Sequence, residues 1–218
     1  MTRPLFQVTP DEKKAKAIVV DAMISRLEQT YADFIADVKG FDQIPYFFRD
    51  HLYSPPNKEA RDAALDSLYA KLKSVTGEEM TENIHQLIKL NKLTDDLDLE
   101  TARVLLKKDL KGKDLDTTRI TIDQLNRSLQ EVGRAEDRER QIDMVCECLQ
   151  FFFTLSKLPL IRLVLAPIKV AASMVGAMEL VRTMEAGYAV SRGIKDMRPF
   201  TDAFQKREKD LIRELSTP

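Results

Sequence analysis

The chain has 218 residues, of which 44% are hydrophobic and 32% charged, with a formal net charge of −1. That balance excludes a disordered or fibrous chain, and the near-zero charge supplies no field to attract nucleic acid. With 7 glycines among many Leu, Ala, Lys, Glu and Asp residues, the composition predicts an all-α protein, and the length predicts a single domain.

Residues 1–8 read as an N-terminal arm and 9–218 as a single all-helical domain. The opening MTRPLFQVTPDEKK has no apolar run of the signal-peptide kind. Cys146 and Cys148 are the only cysteines, and C-x-C spacing points them about 200° apart on a helix, so they neither bridge nor chelate together. Cys146 is expected on the apolar face. A reducing compartment fits such a pair, and the chain reads as cytoplasmic.

Thr9-Pro10-Asp11-Glu12 predicts a helix start with a capping box. The helix carries Val20, Ile24, Leu27, Tyr31, Phe34 and Val38 at alternating spacings of four and three, a stripe for packing on other helices, and Gly40 is expected to cap its end. Phe41 to Pro56 is the most aromatic connection, with a short helix expected around Tyr46 to Leu52. Asn57 is expected to cap a helix bearing Ala64, Leu65, Leu68, Leu72 and Val75, closed by Gly77. Thr81 opens the next, through Ile84, Leu87 and Ile88 towards Leu93.

Thr94 to Asp98 reads as an acidic turn, followed by a helix with Ala102, Leu105 and Leu106. Lys107 to Arg119 is the clearest linker. Thr121 and Gln124 form a second capping box, opening a helix with Ile122, Leu125, Leu129 and Val132 that Gly133 closes. Ala135 to Ser156 is a long helix, charged at its start and apolar beyond Ile142. Pro199 sets off a last amphipathic helix. No segment alternates with period two, so no sheet is predicted.

Leu158 to Val181 is the most apolar stretch. A membrane-spanning helix needs about 20 predominantly apolar residues. Here Arg162, Lys169 and Glu179 interrupt the run, Arg182 follows it at once, and Pro159 and Pro167 punctuate it. A charge at the centre of a bilayer costs roughly 2.5–3.5 kcal/mol, so no transmembrane span is expected. The expectation is a helical bundle of about seven or eight helices enclosing this central apolar helix, since a helix apolar nearly all round is normally buried. Arg162, Lys169, Ser173 and Gly176 share one narrow stripe. The two basic side chains either snorkel to water along one exposed edge, which is the favoured reading, or form an anion site. Glu179 and Arg182 are spaced for an intrahelical pair.

Other candidates for chemistry are sparse. His51 lies beside Asp50 in an aromatic loop that also holds Tyr53, which makes the pair candidate ligand-binding residues, although neighbours on a helix point apart. Glu82 and His85 match the Glu-x-x-His spacing of di-iron sites once, and such a site needs two matches. Phosphate-binding loops, nucleophile elbows and zinc-protease motifs are absent from the sequence. No catalytic residue, metal site or cofactor is assigned.

Three functions follow in order of preference. The first is a non-enzymatic interaction or scaffold protein, with a protein partner or self-association as a homodimer. The second is a peripheral membrane or anionic-ligand binder using helix 158–181 and the Arg162/Lys169 stripe. The third is an enzyme or small-ligand binder with a pocket near His51.

Overall fold

Thr9 opens the first helix by the reciprocal contacts its sequence predicts. Its hydroxyl accepts from the Glu12 N–H at 3.2 Å, and the Glu12 carboxylate accepts from the Thr9 N–H at 2.8 Å. Arg103 and the Thr9 amide together hold the Glu12 carboxyl below its ordinary value, the amide more strongly. The computed structural model describes residues 8–37, 40–53, 69, 78–158 and 161–217, and of their side chains all but 37, 52, 53, 79 and 161–165.

Among the described residues there are nine α-helices and no strand, so the protein is an all-α domain. In chain order they are α1 (Pro10–Thr30), α2 (Ala32–Asp37), α3 (Ile44–Phe47), α4 (Glu78–Lys107), α5 (Ile122–Val132), α6 (Ala135–Ser156), α7 (Ile161–Val175), α8 (Met178–Arg192) and α9 (Arg198–Ser216). A π-helical turn, Phe48–Tyr53, continues α3. The second capping box forms as read, with the Thr121 hydroxyl accepting from the Gln124 N–H and Gly133 ending α5 at φ 67°. The helix expected from Asn57 to Gly77 lies outside the described residues, apart from Tyr69.

The first helix is shorter than its stripe implied. It stops at Thr30, and Tyr31 takes a non-helical φ of −113° before α2 begins. The cause is packing. The Tyr31 ring is fully buried, 5.4 Å from the rings of both Phe200 and Phe204 on α9. Its hydroxyl donates to Glu208 at 2.9 Å, and Arg26 grips the same carboxylate at 2.6 and 3.1 Å. Burial, then the neighbouring Glu208 charge, pushes the Tyr31 phenol far above its ordinary value. Val20, Ile24 and Leu27 are buried in the main core as the stripe predicts, while Ala15, Ile18, Val19, Ala22 and Met23 form a second core with Ala102, Leu105 and Leu125.

The acidic turn is not a turn. Thr94 to Asp98 is the interior of α4, a continuous helix of 30 residues, about 45 Å long. Thr94, Asp98 and Thr101 lie on one face of it and meet α6. Arg138 is 3.4 Å from the Asp98 carboxylate and donates to the Thr101 hydroxyl at 2.9 Å and to the Leu97 carbonyl at 3.0 Å. Gln141 donates to the Thr94 hydroxyl at 2.8 Å. Local composition marks Asp-Asp-Leu-Asp as a turn, but this tertiary network supplies each buried polar group with a partner and keeps the segment helical. Burial pushes the Asp98 carboxyl up, against the opposing pull of Arg138.

The central apolar helix also differs from expectation. Leu158 to Val181 is interrupted after Val175. Gly176 takes φ 73°, and the Ala177 N–H donates back to the Ala172 carbonyl at 2.9 Å. That is the left-handed glycine cap that ends many helices. Helix α6 packs against α4, α8 and α9. Its Phe152 is completely buried and meets Phe47 edge-on at 5.6 Å. Helix α8 approaches it through Gly187, where a Cβ would lie 2.7 Å from the Phe152 ring. Cys148 is the buried thiol of α6, whereas Cys146 is half-buried, with Sγ 3.5 Å from the Thr201 carbonyl. Ile142, Val145, Leu149 and Phe152 are buried as expected, so only the placing of Cys146 on the buried face is corrected.

Candidate interaction surface

Helix α7 packs on α8, and its Ile168, Ala171 and Ala172 are buried. Its other side faces outwards. Val170 is 62% exposed and Met174 67%, with Ala166 and Ser173 also exposed and Met178 just beyond the glycine cap at 36%. Leu158, before the helix, is exposed as well. The stretch expected to be enclosed therefore carries the large exposed hydrophobics of the described chain, together with Val8 and Tyr46. Pro167 lies within α7 and the helix continues through it.

Lys169 projects from this face but is not alone. Its ammonium pairs with the Glu185 carboxylate of α8, both groups being about half exposed at 46% and 45%. The Ser173 hydroxyl donates to the Val170 carbonyl at 2.8 Å. Lys169 and Ser173, the polar side chains described on this face, are thus engaged within the chain. Arg162 belongs to α7 by its backbone, and its side chain lies outside the described residues.

His51 and Tyr53 occupy the π-helical turn. The half-buried His51 ring stacks on Phe47 with centroids 6.0 Å apart, and its carbonyl accepts from the Thr183 hydroxyl at 3.3 Å. The backbone carbonyl of His51 therefore ties the turn to α8. The Tyr53 side chain lies outside the described residues. Thr183 and Glu185 are two positions apart on α8, which places them about 200° apart around the helix axis. His51 and Lys169 thus meet opposite sides of α8 and do not share a site.

Glu179, Glu82 and Asp33 each have a partner within the chain. Arg182 and Glu179 join within α8 as their spacing predicts, with Glu179 buried and Arg182 largely exposed. His85 stacks on Tyr69 at 4.4 Å, and its Nδ1 is 3.6 Å from Glu82. Asp33 is held by Arg207 at 2.6 and 2.9 Å, which lowers its carboxyl.

Val170 and Met174 were not singled out from the sequence, although the signal was present. Each follows a residue of the stripe, Lys169 and Ser173, by one position. The exposed face is that stripe widened by about 100°, one residue's rotation on a helix. The chain belongs to the family described as Domain of unknown function (DUF8198), which matches residues 7–218. No curated protein and no solved structure matches it.

Proposed function

We propose that the protein is a non-enzymatic interaction protein that self-associates through the outer face of α7. The observation that carries this reading is the exposure of Val170 and Met174 on the most apolar helix of the chain. Contiguous exposed apolar surface on a folded protein marks a site of association. The character of the face favours a second copy as its occupant. Lys169 is neutralised by Glu185 and the Ser173 hydroxyl is internally bonded. With Lys169 paired, the described part of the face is mainly apolar, and it complements another apolar face better than it does a charged partner or an anionic lipid surface. In a two-fold dimer the same patch meets itself, so one chain supplies both halves. No helix among the described residues is long and apolar enough to cross a membrane, which fits a face used for docking rather than spanning.

The test is the molar mass in solution over a range of concentrations, by light scattering after gel filtration. Wild type should be a dimer, and Val170→Glu with Met174→Glu should be a monomer with unchanged far-UV circular dichroism. A wild type that stays monomeric at every concentration overturns self-association. If that monomer sediments with anionic vesicles, the peripheral-membrane reading replaces it.

A further inference from the structure

Helix α1, the α5–α6 corner, α6 and α9 line a partly open cavity of about 310 Å³. Met23 and Leu27 of α1, Ile142 and Val145 of α6, and Phe204 and Leu211 of α9 form its apolar wall. We infer that this cavity is a binding site for a small neutral apolar molecule, such as an aromatic bicycle or a medium-length alkyl chain. The size is at the lower end of ligand pockets, which span roughly 300–1,000 Å³. An apolar cavity of about 150 Å³ already holds benzene.

The neutrality of the ligand follows from the charged groups at the wall. Arg26 and Glu208 grip each other at 2.6 and 3.1 Å, and Glu208 also accepts from Tyr31. Arg134 is bound by Asp96, Glu100 and Asp137 at 2.6, 3.1 and 2.7 Å. Arg138 is committed to Asp98, Thr101, Gln141 and the Leu97 carbonyl. Each lining charge thus has its counter-charge in the protein. A charged ligand that broke the Arg26–Glu208 or the Arg138–Asp98 pair would leave a poorly solvated charge behind, which is strongly unfavourable. A neutral apolar ligand leaves all of them intact and gains contact with the aliphatic and aromatic wall. The long stems of the arginines add to that wall.

The test uses the full chain and the neutral fluorescent probe N-phenyl-1-naphthylamine. Wild type should bind it saturably at one site per chain. Leu211→Trp, which fills the cavity from a half-buried position, should weaken binding at least tenfold. Leu129→Trp fills it from α5 and should do the same, which guards against one variant failing to fold. Val170→Glu with Met174→Glu, on the α7 face, should leave the affinity unchanged. Absence of saturable binding to wild type overturns the inference, as does binding that survives both tryptophans. Loss of binding in the α7 variant instead assigns the probe to the exposed face and also overturns it.

Discussion

Arg138 and Asp98 face each other at 3.4 Å with 12% and 1% of their side chains exposed. They join the middle of α4 to the start of α6. Removing one partner of such a pair leaves the other buried without its counter-charge, which costs about 3–5 kcal/mol. Arg138→Met should therefore destabilise the protein by that order in urea unfolding. Combining it with Asp98→Asn should recover part of the loss, with a coupling of about 1–3 kcal/mol. In Arg138→Met the Asp98 carboxyl, already raised by burial, loses the cation that opposed the rise. The folded state then binds more protons than the unfolded state above the ordinary carboxylate value, so the variant should regain stability as pH falls towards that value. A single variant no less stable than wild type would show that the pair holds nothing together.

This network also marks where reading the sequence stops. Helix starts were legible because a capping box is a local device: Thr9 with Glu12 and Thr121 with Gln124 form as their spacing implies. The apolar stripe of α1 was legible for the same reason. Thr94 to Asp98 read as a turn because the partners of its polar side chains, Arg138 and Gln141, lie about 40 residues away. Tyr31 breaks its helix for contacts with α9 that no local signal announces. At the candidate site, apolarity of 158–181 implied burial, but apolarity does not say whether the covering surface belongs to the same chain. Gly176 was read as part of the basic stripe and is a helix cap.

Gly187 should tolerate no side chain. A Cβ there would lie 2.7 Å from a completely buried Phe152 ring, and the ring is rigid and held by Phe47 and Phe151. Overpacking a well-filled core costs typically about 1–3 kcal/mol. The Gly187→Ala variant should fall in that range by chemical denaturation, although alanine has the better helix propensity. Retained or increased stability would mean that α6 and α8 separate easily.

The two thiols give a prediction in alkali. Burial pushes both Cys146 and Cys148 from 9.0 up to about 12. Their folded values lie above their unfolded ones, so the contribution to stability is complete below about pH 9 and is lost as pH rises towards 12. Native protein at neutral pH should therefore react slowly with iodoacetamide, since the thiolate is the nucleophile. Both thiols should react rapidly once urea unfolds the chain. Replacing both with Ala should flatten the alkaline decline in stability relative to wild type. Rapid alkylation of the folded protein at neutral pH would refute the shielded state of these groups.

Lys169 separates an anion site from an ordinary surface pair. Its ammonium and the Glu185 carboxylate are each about half exposed, and such pairs contribute about 0–1 kcal/mol because water and salt screen them. Lys169→Met keeps the length of the stem, so its effect on stability should stay within about 0.5 kcal/mol. Phosphate would have to displace Glu185 to bind there. A true anion site would nevertheless be stabilised by phosphate through mass action, and the shift would vanish in the variant. The measurement is thermal melting of wild type and Lys169→Met, with and without phosphate at matched ionic strength. The expected outcome is the same melting temperature in all four samples. A rise confined to wild type in phosphate would place an anion between α7 and α8 and would favour the ligand-binding reading of this face over self-association.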